Sequence, residues 1–130
     1  MRNPRRAAAL LVMLLAAAGC SNDPLAPFQP EVTNSSDNFQ FQATNVQDVT
    51  LTKTYTWHNT GTIANVNHST TTTSGTARLT IKSAAGVQLY DKNLVASLNE
   101  QTAVAAAGDW IVTVVLTDFS GSINFRVQKP

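Results

Sequence analysis

Alternation constrains what this chain can fold into more than any other feature. Across residues 48–58, Val49, Leu51, Tyr55 and Trp57 take odd positions, while Thr50, Thr52, Thr54, Thr56 and His58 take even ones. Successive side chains on a strand point to opposite faces, so a period of two predicts a strand with one buried face. Gly61 follows as a turn signal. A two-residue loop of Thr60 and Gly61 sets Ala64 opposite Trp57 and Val66 opposite Tyr55, so that both apolar sets of a hairpin share a face. Lys53 interrupts the inward set and is expected near a sheet end, its amine reaching out to water.

The same test passes twice more. Ala77, Leu79 and Ile81 alternate with Arg78, Thr80 and Lys82. A three-residue loop ending in left-handed Gly86 sets Leu89 opposite Ile81 and Val87 opposite Ser83. Trp110, Val112, Val114 and Leu116 alternate, with Ile111 and Val115 making that strand apolar on its second face as well. A Ser120-Gly121 turn sets Phe125 opposite Leu116 and Val127 opposite Val114. Phe39 and Phe41 mark one more strand near the start. Residues 94–107 fit a strand over 100–105 or a short helix, with the strand favoured because Gly108-Asp109 makes a turn into Trp110. The expected fold is all-β: a two-sheet antiparallel sandwich of seven to eight short strands, immunoglobulin-like or jelly-roll in order, over residues 37–130.

Composition supports this and removes one class of function. Only 17 residues are charged, against 44 that are Thr, Ser, Asn or Gln, so the surface is polar and nearly neutral. The formal charge of +1 includes Arg2, Arg5 and Arg6; beyond residue 20, six basic residues face eight acidic ones, a balance of −2. A nucleic-acid binder would show a clustered basic stripe, so no nucleic-acid partner is expected.

Catalytic chemistry is sparse. His58 falls on the outward face and His68 on the other, opposite Lys53 in the expected hairpin, so the two do not converge on one metal. There is no nucleophile elbow, no paired-histidine metal motif and no phosphate-cradling glycine loop. Asp37, Asp48, Asp91, Glu100, Asp109 and Asp118 are spread along the chain, mostly at turns. No catalytic residue, metal or cofactor is expected, and the domain is not expected to be an enzyme. Binding candidates remain. Tyr90 follows inward Leu89 and Phe119 sits at a hairpin tip, where exposed aromatics would stack on sugar rings or anchor a protein. Ile111, with Val115, is an outward aliphatic that a partner could cover, or the mark of a central strand. The Thr50–Thr56 ladder could lie against a polysaccharide or ice, or simply reflect strand preference.

The first segment tells where the chain goes. Arg2, Arg5 and Arg6 precede an apolar stretch over residues 7–15, and the small residues Ala16, Ala17, Ala18 and Gly19 follow, which is the layout of an export signal. The 12 apolar residues over 7–18 fall short of the roughly 20 a spanning helix needs. Leu15-Ala16-Ala17-Ala18-Gly19-Cys20 resembles the lipobox of bacterial lipoproteins, with Ala17 where the family most often has Leu. The resemblance implies cleavage after Gly19 and attachment of diacylglycerol to Cys20, the only cysteine. It also implies, from Ser21, an outer-membrane address if the host has one.

Residues 1–19 are therefore expected to be a signal peptide and residues 20–36 a tether. Pro24, Pro27 and Pro30 recur every third residue in it, suiting an extended segment of up to about 50 Å at ~3.1 Å per residue. Phe28 lies within that stretch. The function expected is an envelope-anchored structural or protein-interaction module, with membrane lipid held through Cys20 and an envelope protein as partner. The alternative is a carbohydrate-binding module for peptidoglycan or an extracellular glycan.

Overall fold

The computed structural model describes residues 30–130. The signal peptide, Cys20 with its lipid, and Pro24, Pro27 and Phe28 lie outside the described residues. Six strands follow: β1 (Glu31–Ser35), β2 (Asn38–Asn59), β3 (Asn65–Lys82), β4 (Gln88–Asn93), β5 (Leu98–Gln101) and β6 (Gly108–Gln128). All pairings are antiparallel, and no helix occurs among the described residues. The order is β1-β2-β6-β3-β4, with β5 also beside β3.

The all-β class stands; the strand count and pairing differ from the sequence expectation. Six strands replace seven or eight short ones, and they share one hydrogen-bonded sheet rather than two separate sheets. Three of them run 22, 18 and 21 residues. A straight strand of 22 residues would span roughly 70 Å, far more than a domain of this size can hold, so the long strands must fold over.

They fold at a shared belt of bulges. The β2–β6 register slips between Ala43 and Val46, Val46 and Val49, and Val49 and Leu51; the β3–β6 register slips between Thr72 and Ser74, and Ser74 and Thr76. Each extra residue bends and twists the strand that carries it. The belt collects left-handed backbone at Asn45, Asp48, Gly75 and Asp118. Gly75 is required there, because a Cβ would stand 2.1 Å from the carbonyl oxygen of Asp118. At Gly121 it would stand 2.0 Å from that of Thr71.

Folding over brings the two halves of each long strand face to face. Phe39 and Tyr55, both on β2, have ring centroids 5.2 Å apart, and the Trp57 indole Nε1 donates to the Ser35 carbonyl at 3.1 Å. Between the halves lie Phe39, Phe41, Phe125, Val66, Leu79, Val112 and both tryptophans, all fully buried. With no cysteine among the described residues, this packing and the strand ladders must carry the stability. The open ends are latched at Asp37: its amide donates to the His58 carbonyl, and its carboxylate accepts from the Thr60 amide at 2.7 Å and from the Thr60 hydroxyl.

Two of the three expected hairpins are not hairpins. β6 lies between β2 and β3, so Trp57 pairs with Trp110 rather than Ala64. Ser120-Gly121 is not a turn between strands but part of the belt within β6, and residues 116 and 125 belong to one strand. The third hairpin is present, with left-handed Gly86 closing the loop and Ser83 donating to the Val87 carbonyl. A bulge at Leu89, between the Lys82–Gln88 and Ile81–Tyr90 pairs, then sets Ile81 opposite Tyr90 instead of Leu89. Residues 98–101 form a strand, shorter than and shifted from the one expected at 100–105. Residues 31–35, expected in the tether, pair with β2 as β1. Lys53 is exposed but sits mid-strand opposite Val114, away from any sheet end.

Candidate functional site

The folded sheet presents two outward faces to water. One half comprises β1, β5 and the portions of β2, β3 and β6 that pair around Asn38, Asn65 and Gln128. The other comprises β4 and the portions around Thr54, Thr80 and Thr113.

On the first half, cross-strand partners line up in three rows. Ser35, Asn38, Gln128, Asn65 and Gln101 make one; Thr33, Gln40, Arg126, Asn67 and Asn99 the second; Glu31, Gln42, Asn124 and Ser69 the third. Nine of these fourteen positions are Asn or Gln, so this face is an amide surface, each side chain offering both donors and an acceptor. The reason they face out is the alternation itself: Phe39, Phe41, Val66, Phe125 and Val127 hold the buried positions between them.

Several amides are held in place by one another. Gln128 Nε2 donates to Asn38 Oδ1 at 2.9 Å, Gln101 Nε2 to Asn65 Oδ1 at 3.0 Å, and Gln40 Nε2 to Asn124 Oδ1 at 3.3 Å. The side chains of Asn67, Asn99 and Arg126 make no hydrogen bond among the described residues, so they present unused donors and acceptors. Two shallow depressions meet there. One of about 300 Å³ includes Asn67, Ser69, Ser97, Asn99, Asn124 and Arg126; the other, about 450 Å³, includes Asn65, Asn67, Asn99 and Gln101.

The second half carries Thr52, Val115, Arg78 and Asn93 in one row, Thr54, Thr113, Thr80 and Asp91 in the next, and Thr56, Ile111 and Lys82 in a third. Several of its charges are paired. The Arg78 guanidinium forks onto the Asp91 carboxylate, holding that carboxyl below its usual range, and His58 Nδ1 lies 2.8 Å from Asp109 Oδ1. Lys92 reaches Glu100 at 3.7 Å.

The sequence-based binding residues are not brought together. Tyr90 and Phe119 are buried, at 6% and 0% exposure, so neither offers a ring to a ligand. Tyr90 turns inward because the bulge at Leu89 lets two consecutive residues, Leu89 and Tyr90, enter the core. Its hydroxyl is pushed up by burial, with Glu100 adding to the effect. Phe119 is at the belt rather than a hairpin tip, and it folds into the core with the bend. Ile111 and Val115 are half-buried on β6, which is flanked on both sides by β2 and β3. Thr50, Thr52, Thr54 and Thr56 are exposed as expected.

His58 and His68 do lie on opposite faces, but His68 pairs with Phe125 and Leu98 rather than with Lys53. It is buried in the core, and that desolvation lowers its pKa. Among the described residues, no three His, Cys, Asp or Glu side chains gather as metal ligands would.

The amide face is not among the binding residues expected from sequence, although its signal is in the chain. Asn38, Gln40 and Gln42 alternate with Phe39 and Phe41, Asn65 and Asn67 flank Val66, and Asn124, Arg126 and Gln128 alternate with Phe125 and Val127. Asn is depleted in strands, so its repetition at outward strand positions is not accounted for by strand preference.

No protein-family model and no curated protein matches this chain. Among solved structures it is similar to a carbohydrate-binding module from Cellvibrio mixtus lichenase 5A in complex with cellotriose. The identity is 15%, covering 81% of this chain and 88% of that one, with a TM-score of 0.45. At that distance the site must be argued from its own residues.

Proposed function

We propose that this chain is an exported lipoprotein, held at the cell envelope through acylated Cys20, whose β domain binds a glycan across the amide face without catalysing a reaction. The observation that carries the reading is the set of nine outward amides over four adjacent strands, six of them joined in three hydrogen-bonded pairs. Sugar hydroxyls are neutral groups that both donate and accept, and Asn and Gln match them in kind. Hydrogen bonds made in water are worth only about 0.5–1.5 kcal/mol each, so affinity must be summed over a broad surface, and this one is broad. Stacking on Tyr90 or Phe119 forms no part of the proposal, since both are buried.

The test is affinity electrophoresis of the full-length chain through gels containing purified envelope polysaccharides. Retardation by at least one of them, lost in the double variant Asn67→Ala and Asn99→Ala, is the expected result. Unchanged mobility in every gel would overturn the glycan reading. The anchor is tested separately: mass spectrometry of the mature chain should find diacylglycerol on Cys20, and Cys20→Ser should release the protein from membranes. A membrane-free wild-type chain would overturn that part.

A second reading, docking to an envelope protein, has one observation in its favour. Val87 and Val104, 59% and 75% exposed, border a depression of about 320 Å³ with Ala84, Ala85, Ala106 and Ala107. That tip lacks the Trp, Tyr or Arg anchors that dominate protein interfaces, which places it second. In-cell crosslinking that recovers one envelope protein, and loses it with Val104→Asp, would move it to first.

A further inference from the structure

Resting on the glycan reading, we infer that the amide face takes an acidic polysaccharide, one whose neutral rings are interspersed with carboxylate-bearing ones, and that Arg126 receives the carboxylate.

Arg126 is exposed at the middle of the amide face, on β6, between Gln40 of β2 and Asn67 of β3, with Asn99 of β5 beyond. Unlike Arg78 and Lys92, it has no acidic partner among the described residues. Two other charges border the face: Glu31 at a far corner on β1, and Glu100, which lines the second depression and is met by Lys92 at 3.7 Å. A guanidinium on a solvated surface needs no partner, but its surroundings here are specific. Every row neighbour of Arg126 is a neutral group able to bond a hydroxyl, and Arg126 also borders the depression that holds Asn67, Asn99 and Asn124. The fork of the guanidinium matches a planar carboxylate with two parallel hydrogen bonds, a geometry an ammonium lacks.

Spacing and charge narrow the ligand. Strands lie about 4.8 Å apart, so the row from Thr33 to Asn99 spans about 19 Å, room for a short run of sugar rings with one acid near its middle. The chain beyond residue 20 carries a balance of −2, so it has no general attraction for polyanions. One cation among neutral amides suits a sparse acid, not a densely sulfated or phosphorylated polymer.

The experiment measures binding of the full-length chain, in a detergent without a sugar headgroup, to three probes by calorimetry. They are glucuronoxylan, the same polymer with its carboxyls reduced to alcohols, and dextran sulfate. Wild type is expected to bind glucuronoxylan about tenfold tighter than the reduced form, and to bind dextran sulfate no better than the reduced form. Arg126→Gln should abolish the preference, so that the acidic and reduced polymers bind alike. Arg126→Lys, which keeps the charge and loses the fork, should retain only a small part of it. Because Arg126 is exposed, an unchanged melting temperature in each variant is expected, and separates lost binding from lost folding. Equal binding of the acidic and reduced polymers would overturn this inference and leave the glycan reading standing. A preference that survives Arg126→Gln would do the same. Tightest binding to dextran sulfate would point to plain polyanion attraction and also overturn it. Binding to none of the three, with no retardation by envelope polysaccharides, would overturn both.

Discussion

The two outward faces are built on the same three strands and differ in almost everything else. β2, β3 and β6 each pass through both halves of the folded sheet. In one half they carry threonine, two half-buried aliphatics and charges of which Arg78, His58 and Asp109 are paired. In the other they carry Asn and Gln around an arginine with no acidic partner among the described residues. Threonine on a strand needs no explanation beyond strand preference, since its β-branch suits a pleated surface. Asparagine has the opposite preference, so its repetition works against the fold it sits in. The difference teaches where to look for function: at the face whose residues the architecture would not have chosen.

That comparison depends on the bend, and breaking the bend should have the largest effect. Gly75→Ala and Gly121→Ala each place a Cβ within about 2 Å of a carbonyl oxygen, at positions whose φ is +72° and +148°. Each is expected to destabilise the domain by about 3 kcal/mol or more, read as a shift in denaturant midpoint. Gly86→Ala is the control: its φ is +83° but nothing lies within 4 Å, so about 1 kcal/mol is expected. Equal losses at Gly75 and Gly86 would show that the belt accommodates a side chain.

Next in size is the contrast between the faces themselves. Asn67→Ala with Asn99→Ala should weaken glycan binding about tenfold, the loss of one or two hydrogen bonds. Thr52→Val with Thr54→Val removes two hydroxyls from the other half and keeps the β-branch. It should leave binding unchanged and stability within about 0.5 kcal/mol. If the threonine variant loses binding and the asparagine variant does not, the ligand lies on the threonine face.

How much of this was legible depends on which property each residue reports. Alternation finds faces, and the inward sets at Trp57, Leu79, Val112 and Phe125 are all buried as expected. Alternation does not find neighbours. Trp57 and Ala64 share a face whether or not they are adjacent, and β6 lies between their strands. The Ser120-Gly121 signal is ambiguous for a similar reason, because glycine serves a hairpin turn and a bulge alike. Period two resumes on either side of both. Tyr90 and Phe119 were misplaced by consequence, since each sits at a bulge or bend that shifts the phase of the alternation. The amide face was readable one strand at a time but only becomes a surface once β1, β2, β6, β3 and β5 are in order.

The halves also differ in what they bury. His68 lies in the core of the amide half beside Phe125, and burial lowers its pKa by disfavouring the charged imidazolium. The unfolded chain therefore binds the proton more readily than the folded one near pH 6.5, and stability must fall as pH drops. The contribution is complete above about pH 6.5 and is lost as pH falls towards the folded-state pKa, where the loss levels off. Melting temperatures measured from pH 7.5 to 5 should fall in wild type and fall less in His68→Leu. Identical slopes would show that His68 does not titrate between the two states.

The smallest effect is expected at the latch, where the two halves meet at Asp37 and Thr60. The Asp37 carboxylate accepts from the Thr60 amide and hydroxyl, and these bonds hold its pKa below the usual carboxylate value. A lowered pKa stabilises the folded state above the unfolded value, near pH 3.9, and that contribution disappears as pH falls through the folded one. Because the group is solvent-exposed, the change in stability should be slight, and a local probe is better than a melting curve. Asp37 has φ +65°, so alanine would confuse backbone strain with the lost carboxylate; Asp37→Gly removes the side chain at a conformation glycine accepts. Hydrogen exchange at the Thr60 amide should quicken in that variant. Exchange at the Lys129 amide, which donates to the Asp37 backbone carbonyl, should stay as it was. Equal acceleration at both would mean that the carboxylate holds the whole end of the sheet, and that the two halves are joined there by one side chain rather than by their ladders.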